Sequence, residues 1–207
     1  MERQQHWEKI YTSKAATKVS WFRPHLETSL ALIERAAHGN RDAAIIDVGG
    51  GASTLVDDLI ERGYTNITVV DIAEAALDAA RLRLGQAGAS VQWIRADVTE
   101  TLPSAQRYDI WHDRAVFHFL TDAEARRAYV RNVGHSVKEK GHVIVSTFGP
   151  EGPTKCSGLD VLRYNADSLH DEFGPRFRLL ESTEEIHQTP FGTAQQFLYC
   201  YCIVESV

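Results

Sequence analysis

Three things are scarce in this chain of 207 residues, and each scarcity closes off a class of protein. Cysteine occurs three times, as Cys156, Cys200 and Cys202, too few for a disulfide framework, and the odd count predicts free thiols in a reducing cytoplasm. Long apolar runs are missing: no stretch nears the roughly 20 residues of a membrane span, and the start, MERQQHWEKI, has none of the pattern of a signal peptide. A basic excess is missing too. The formal charge is −6, whereas a generic nucleic-acid binder needs a dense Lys/Arg surface to hold phosphates. No repeat or low-complexity linker interrupts the chain. A 43% hydrophobic content suits one unit over 1–207, with 1–24 as an N-terminal lid or arm and 25–207 as the core. The charge is uneven, +3 over residues 1–41 and −9 over the rest. The basic arm therefore reads either as a solvated face or as a lid that weakly attracts an acidic substrate.

What is present is an alternation of buried strands and amphipathic helices. Leu26, Leu30, Ile33 and Ala37 share one helical face over 25–38, with Gly39 as the stop. AAIIDV (43–48) reads as a buried strand, followed by a glycine turn, a helix starting near Ala52 and a stop at Gly63. ITVVDI (67–72) is a second strand, and Ala73, Leu77, Ala80 and Leu84 mark a third helix. VQWIRAD (91–97), a connection containing Pro103, and YDIWHD (108–113) follow. Thr121 and Glu124 form a capping-box pattern opening a helix with Ala125, Tyr129, Val133 and Val137 inward. GHVIVSTF (141–148) is a fifth strand. Beyond it, GPEGPTKCSG (149–158) reads as an exposed loop and 166–173 as a short helix closed by Gly174. FRLLESTEEI and QQFLYCYCIV read as an antiparallel hairpin. Together these predict an α/β protein: a doubly wound, mostly parallel seven-stranded sheet with a C-terminal antiparallel hairpin.

In an open sheet of this kind, ligands bind at the carboxyl ends of the strands. Three strands end there in an acid. Asp47 precedes Gly49, Gly50 and Gly51, whose backbone can approach a ligand closely, with helix amides pointing the same way. Asp71 stands where a carboxylate accepts from both hydroxyls of a ribose, and Asp97 adds a second acid to the rim. A nicotinamide dinucleotide wants a glycine at position 54, which is Thr54, and a second half-fold that a terminal hairpin does not supply.

The series DVGGGAS, VVDIAEAALDAAR, IRADVTETL and YDIWHDRAVF resembles the motifs of class I S-adenosylmethionine-dependent methyltransferases over nearly the whole chain. Ser53 replaces the third glycine of that family's turn. The resemblance implies a Rossmann-like fold with strand order 3-2-1-4-5-7-6 and S-adenosyl-L-methionine as cofactor, with S-adenosyl-L-homocysteine as product. Asp47 and Gly49 to Gly51 would border the methionine end, Asp71 and Ile72 the ribose and adenine, Asp97 and Val98 the adenine amino group, and His112 the sulfonium. The arm HWEKIYTSKAATKVSWF resembles the cover of small methyltransferases, making Trp7, Tyr11, Trp21 and Phe22 lid candidates unless they are core packing.

For the chemistry, His112, Asp113, Arg114 and His118 form a candidate catalytic cluster that orients the acceptor and removes a proton. The alternative has Asp113 and Arg114 as a structural ion pair and His118 as a packed histidine. A metal site from His112, Asp113 and His118 lacks a recognisable ligand spacing, so no metal is expected. Asp113-Arg114-Ala115 resembles thiopurine-type S-methyltransferases, and the arm resembles small protein-lysine methyltransferases. The Asn/Asp-Pro-Pro-aromatic motif of amino-methylating DNA enzymes is absent. The reading is a cytoplasmic methyltransferase with a small-molecule N, O, S or metalloid acceptor. Protein-lysine methylation and a non-catalytic cofactor-binding regulator are the alternatives, and the oligomeric state is not read from the sequence. Cys156 reads either as incidental or, if Lys155 lowers its pKa, as a thiolate for a soft acceptor or metal. Cys200 and Cys202, two apart on a strand, read as core thiols.

Overall fold

The computed structural model describes residues 2–13, 15–100, 102 and 107–206. The connection around Pro103 and the arm residue Lys14 lie outside the described residues. The strands are β1 (Ile45–Val48), β2 (Ile67–Asp71), β3 (Gln92–Arg95), β4 (Tyr108–Arg114), β5 (Val137–Phe148), β6 (Lys155–Cys156), β7 (Leu159–Asp160), β8 (Phe177–Gln188) and β9 (Ala194–Val204). The helices are α1 (Glu2–Ser13), α2 (Glu27–Ala37), α3 (Leu55–Glu61), α4 (Glu74–Leu84), α5 (Ala123–Ser136) and α6 (Ala166–Phe173). Seven strands make one sheet in the order β3-β2-β1-β4-β5-β9-β8. β1 to β5 run parallel, and β9 is antiparallel to both β5 and β8. This is the expected doubly wound sheet with its terminal hairpin. Among the described residues, no helix is long and apolar enough to cross a membrane.

The two faces of the sheet are covered by different helices, and strand alternation assigns each side chain to one of them. Ile45, Ile110, Ile144, Phe197 and Tyr199 pack with α2 and α3. Ile46, Trp111, Val143, Leu198, Cys200 and Cys202 pack with α5 and α6. The two cysteines are therefore the core thiols expected of their spacing, and burial lifts each to about 12.

Several boundaries differ from the sequence reading. α3 begins at Leu55, not near Ala52, and β3 stops at Arg95, two residues short of Asp97. The cap of α5 is Asp122, whose side chain accepts from the Ala125 N–H (2.9 Å), rather than Thr121. A carboxylate one residue later in the chain reaches the free amides with full charge, which is why it displaces the hydroxyl. Val137 begins β5 instead of ending α5. The Gly/Pro-rich loop hides a small hairpin, in which Lys155 pairs with Asp160 and Cys156 with Leu159.

Asp113, fully buried, closes the end of β4. Its Oδ1 accepts from the Val116 N–H (2.9 Å) and its Oδ2 from the Phe117 N–H (3.1 Å) and the Tyr129 hydroxyl (2.6 Å). Tyr129 in turn accepts from Trp111 Nε1–H (2.9 Å), so α5 is pinned to β4 through one hydroxyl. Burial lifts Asp113 to about 6 despite these donors. The folded chain thus binds this proton more tightly than the unfolded chain does, and the group's contribution to stability falls as pH rises from about 4 through 6. Tyr129→Phe removes a donor from the charged form, so it should cost about 2–3 kcal/mol at pH 7.5 and visibly less at pH 5. Urea denaturation at the two pH values measures this, and an equal loss at both would contradict the role given to the Asp113 charge.

Candidate active site

β1 delivers the chain into a turn that is crowded from within. Gly49 has φ 68°, and a Cβ there would stand 2.1 Å from Val116 Cγ2. A Cβ at Gly50 would meet Asp47 Oδ2 at 2.1 Å, and one at Gly51 would meet Ala76 Cβ at 2.6 Å and Asp71 Oδ2 at 2.7 Å. Gly50 and Gly51 are thus needed first to seat the turn on its own strand-end acids, and Gly49 to clear Val116. Ser53, at the position of the missing third glycine, accepts from the Leu55 N–H (3.1 Å) at the first residue of α3.

Asp71 is 5% exposed. Its Oδ2 accepts from the Gly51 N–H (3.1 Å) and its Oδ1 from the Ala73 N–H (2.9 Å). Desolvation outweighs these amides and lifts the carboxyl to about 6. Asp97 is less enclosed: its Oδ1 takes the N–H and O–H of Thr99 (2.9 and 2.7 Å), and its Oδ2 lies 3.5 Å from Arg3 Nη2 on α1. Arg3 thereby ties the arm to the rim, a contact that the sequence did not single out.

A cavity of about 100 Å³ runs along this rim. Val48, Gly49, Asp71, Ile72, Asp97 and Val98 line its strand-end side, Trp7, Tyr11 and Trp21 its arm side, and Arg114, Val116, Phe119 and Cys156 its remaining wall. A second space of about 40 Å³ touches Asp47, Gly50, His112, Phe22 and Arg23, and shares Tyr11, Trp21, Gly49 and Arg114 with the first. The arm closes over both. Trp7 meets Trp21 edge-on at 5.8 Å and Phe119 at 5.0 Å, Trp7 and Tyr11 pack on Ala52, Ala73 and Ala76, and Glu8 accepts from the Ala75 N–H (3.1 Å).

The four residues of the candidate catalytic cluster go to two different faces. His112 and Arg114 point toward α2 and the cavities, while Asp113 points toward Tyr129 on α5. Asp113 and Arg114 therefore do not form an ion pair with each other. His118 is fully buried, accepts from the Phe148 N–H at Nδ1 (3.2 Å), and is held neutral by desolvation at about 3. Neither Asp113 nor His118 lines either of these two cavities, and the side chains of His112, Asp113 and His118 do not converge.

His112 belongs to a buried hydrogen-bonded chain. Arg114 Nε–H donates to the Tyr199 hydroxyl (3.1 Å), Tyr199 and Ser29 share a hydrogen bond (3.3 Å), and His112 bonds Ser29 Oγ through Nε2 (2.9 Å) and Asp47 Oδ1 through Nδ1 (2.7 Å). Both ring nitrogens of His112 are thus engaged. Ser29 and Tyr199, which stand 170 positions apart, have no signature in the sequence.

Cys156 lines the first cavity but is no thiolate. Burial pushes it up to about 11, and Lys155, the neighbour expected to lower it, pairs with Asp160 at 3.2 Å.

Comparison with known proteins fits this geometry. A methyltransferase-domain family model matches residues 45–141, which run from β1 into β5. The malonyl-[acyl-carrier protein] O-methyltransferase of Anoxybacillus flavithermus is 28% identical over 144 residues, 69% of this chain and 52% of that protein. Human EEF1A lysine methyltransferase 2 is 23% identical over 196 residues, 86% of this chain and 75% of that protein. The chain therefore spans about half the length of the first relative and more of the second. The N-methyltransferase NodS of Bradyrhizobium japonicum, solved with S-adenosyl-L-homocysteine, shares the fold with a TM-score of 0.70 at 12% identity, over 98% of each chain. With the strand order and the glycine turn agreeing, residues 45–141 match a methyltransferase domain and the chain has the fold of an S-adenosylmethionine-dependent methyltransferase.

Proposed function

We propose that this chain is an enzyme that transfers a methyl group from S-adenosyl-L-methionine to a small molecule in the cytoplasm, with residues 1–24 as the lid. The observation that carries the reading is the cavity that joins the strand-end acids to a wall of aromatic side chains under the arm. The residues fit the cofactor chemically. Asp71 and Ile72 would hold the ribose and adenine, Asp97 and Val98 the adenine amino group, and the 49–51 turn with Asp47 the methionine end. Asp47 Oδ2 is buried without a hydrogen-bond partner, an acceptor suited to an ammonium.

When bound, the cofactor supplies an electrophilic methyl group on a sulfonium. The protein's part is to exclude water and to align the acceptor; positioning of this kind is worth on the order of 7–11 kcal/mol when geometry is ideal. Trp7, Tyr11 and Trp21 supply aromatic faces that favour a cation. His112, with both nitrogens engaged, acts by orienting Asp47 rather than as a free base. A small acceptor suits an enclosed space walled by the arm and the β6–β7 hairpin. A protein-lysine acceptor is the second reading, favoured by the likeness to the human lysine methyltransferase over 86% of the chain.

Two measurements test this. S-adenosyl-L-homocysteine should bind at micromolar concentration in calorimetry, and Asp71→Asn should weaken it about 10–100-fold. Because Asp71 takes its proton at about 6, affinity should also fall as pH drops from 7.5 to 5. Pinned affinity across that range, or no binding at all, would sink the cofactor assignment. Labelled methyl transfer into a cell extract should then appear in the small-molecule fraction. Label on protein bands would favour the lysine reading, and tight binding without turnover would mark a non-catalytic regulator.

A further inference from the structure

Arg3 and Glu8 tie the arm to the rim with unequal strength. Arg3, Trp7 and Tyr11 stand four residues apart on α1, so they share one helical face, and all three line the first cavity. Arg3 lies 3.5 Å from Asp97 Oδ2 with its side chain 42% exposed, so solvent and salt screen the pair. Glu8, one residue past Trp7 and half-buried, makes a hydrogen bond in which its Oε1 accepts from the Ala75 N–H (3.1 Å). Ala75 belongs to the first turn of α4, where amides have no partner within the helix. The residue before α4 is Ala73, which has no side-chain oxygen to cap it. Two carboxylates from other elements stand in. Asp71 Oδ1 takes the Ala73 N–H (2.9 Å), and Glu8 takes the Ala75 N–H, where the helix dipole favours a negative charge.

The acid assigned to the ribose and the arm's own carboxylate are thus seated on one helix end. Trp7 and Tyr11 pack beside them on Ala73 and Ala76, an apolar contact that attracts the arm but has no direction of its own. The directed contact is the one from Glu8. Glu8 lines neither of the two cavities, so it acts through the arm and not on a ligand. Resting on the methyltransferase reading above, we propose that Glu8 is a positioning residue: by capping α4 from outside it holds Trp7 and Tyr11 over the cofactor, and its detachment sets how fast the cofactor and its product leave. Arg3 adds little to this hold, because its pair with Asp97 is exposed.

The test follows labelled S-adenosyl-L-homocysteine leaving the full chain during a chase with excess unlabelled compound. Glu8→Ala should release it about tenfold faster, with Glu8→Gln in between because an accepting oxygen remains, while the association rate stays within about twofold. Arg3→Gln should speed release by no more than about twofold at about 0.15 M salt. Release from Glu8→Ala within about twofold of wild type overturns the inference but leaves the methyltransferase standing, as does a larger effect of Arg3→Gln than of Glu8→Ala. Slower association together with faster release marks a general loosening of the fold and overturns it too. Should Glu8→Ala fail to fold, hydrogen exchange on the wild-type chain decides. On binding S-adenosyl-L-homocysteine, protection should rise together in α1 and at the start of α4, and a rise in α4 alone overturns the inference. Failure of the parent reading looks different: the wild-type chain then holds no label at all.

Discussion

The buried hydrogen bond from the Gly51 N–H to Asp71 Oδ2 is the constraint on which the rest of the site depends. It joins the turn after β1 to the end of β2, beyond the last ladder pair, Val48 and Val70. No side chain fits at position 51 while that carboxylate stays in place. The turn, the second strand and the start of α4 are therefore set by one contact, with Ala73 and Ala76 tucked against it. Burying the carboxylate costs enough to lift Asp71 to about 6, and the fold tolerates this because the amides recover part of the loss. A ligand that brings further donors to Asp71 would recover more, which is how a strained acid and a binding site come to be the same residue.

A second constraint runs through the sheet beneath the arm. The chain Arg114–Tyr199–Ser29–His112–Asp47 draws on α2, β1, β4 and β9, and each member is buried or nearly so. A network of this kind specifies one arrangement, because each member loses its partner when its neighbour moves. Its end residues, Asp47 and Arg114, both line the cavities under the arm. The ionic contacts of Glu185 with Arg23 and Arg114 extend it to the β8 edge strand and to the arm. The arm and the Arg114 side of the cavity are for this reason parts of one polar structure.

Much of the architecture was legible because it is written in local pattern. Buried runs such as IIDV and ITVVD, the glycine stops and the two long terminal strands each declare themselves within about ten residues. Asp47 and Asp71 fall within the last two residues of β1 and β2 for the same reason, whereas Asp97 lies two residues past the end of β3. The arrangement of residues 112–118 was less legible. Proximity in sequence over 112–118 concealed the alternation that sends Asp113 to α5 and Arg114 to α2, and a helical turn that buries His118 against Phe148. Partners that lie far away, Ser29 with Tyr199 or Thr28 with Glu185 across 157 positions, have no signature in a single chain. The β6–β7 hairpin escaped because two-residue strands carry no periodicity.

We propose that the acids at or just past the ends of β1, β2 and β3 and the glycine turn seat the cofactor, with the arm as its cover. A crystal structure of the chain with S-adenosyl-L-homocysteine tests it most directly. The ribose hydroxyls should lie on Asp71, the adenine beside Asp97 and Val98 under Trp7 and Tyr11, and the amino-acid end at Gly49 to Gly51. Density for the ligand elsewhere, or a complex in which Asp71 keeps only its two backbone amides and touches no ligand atom, would contradict it.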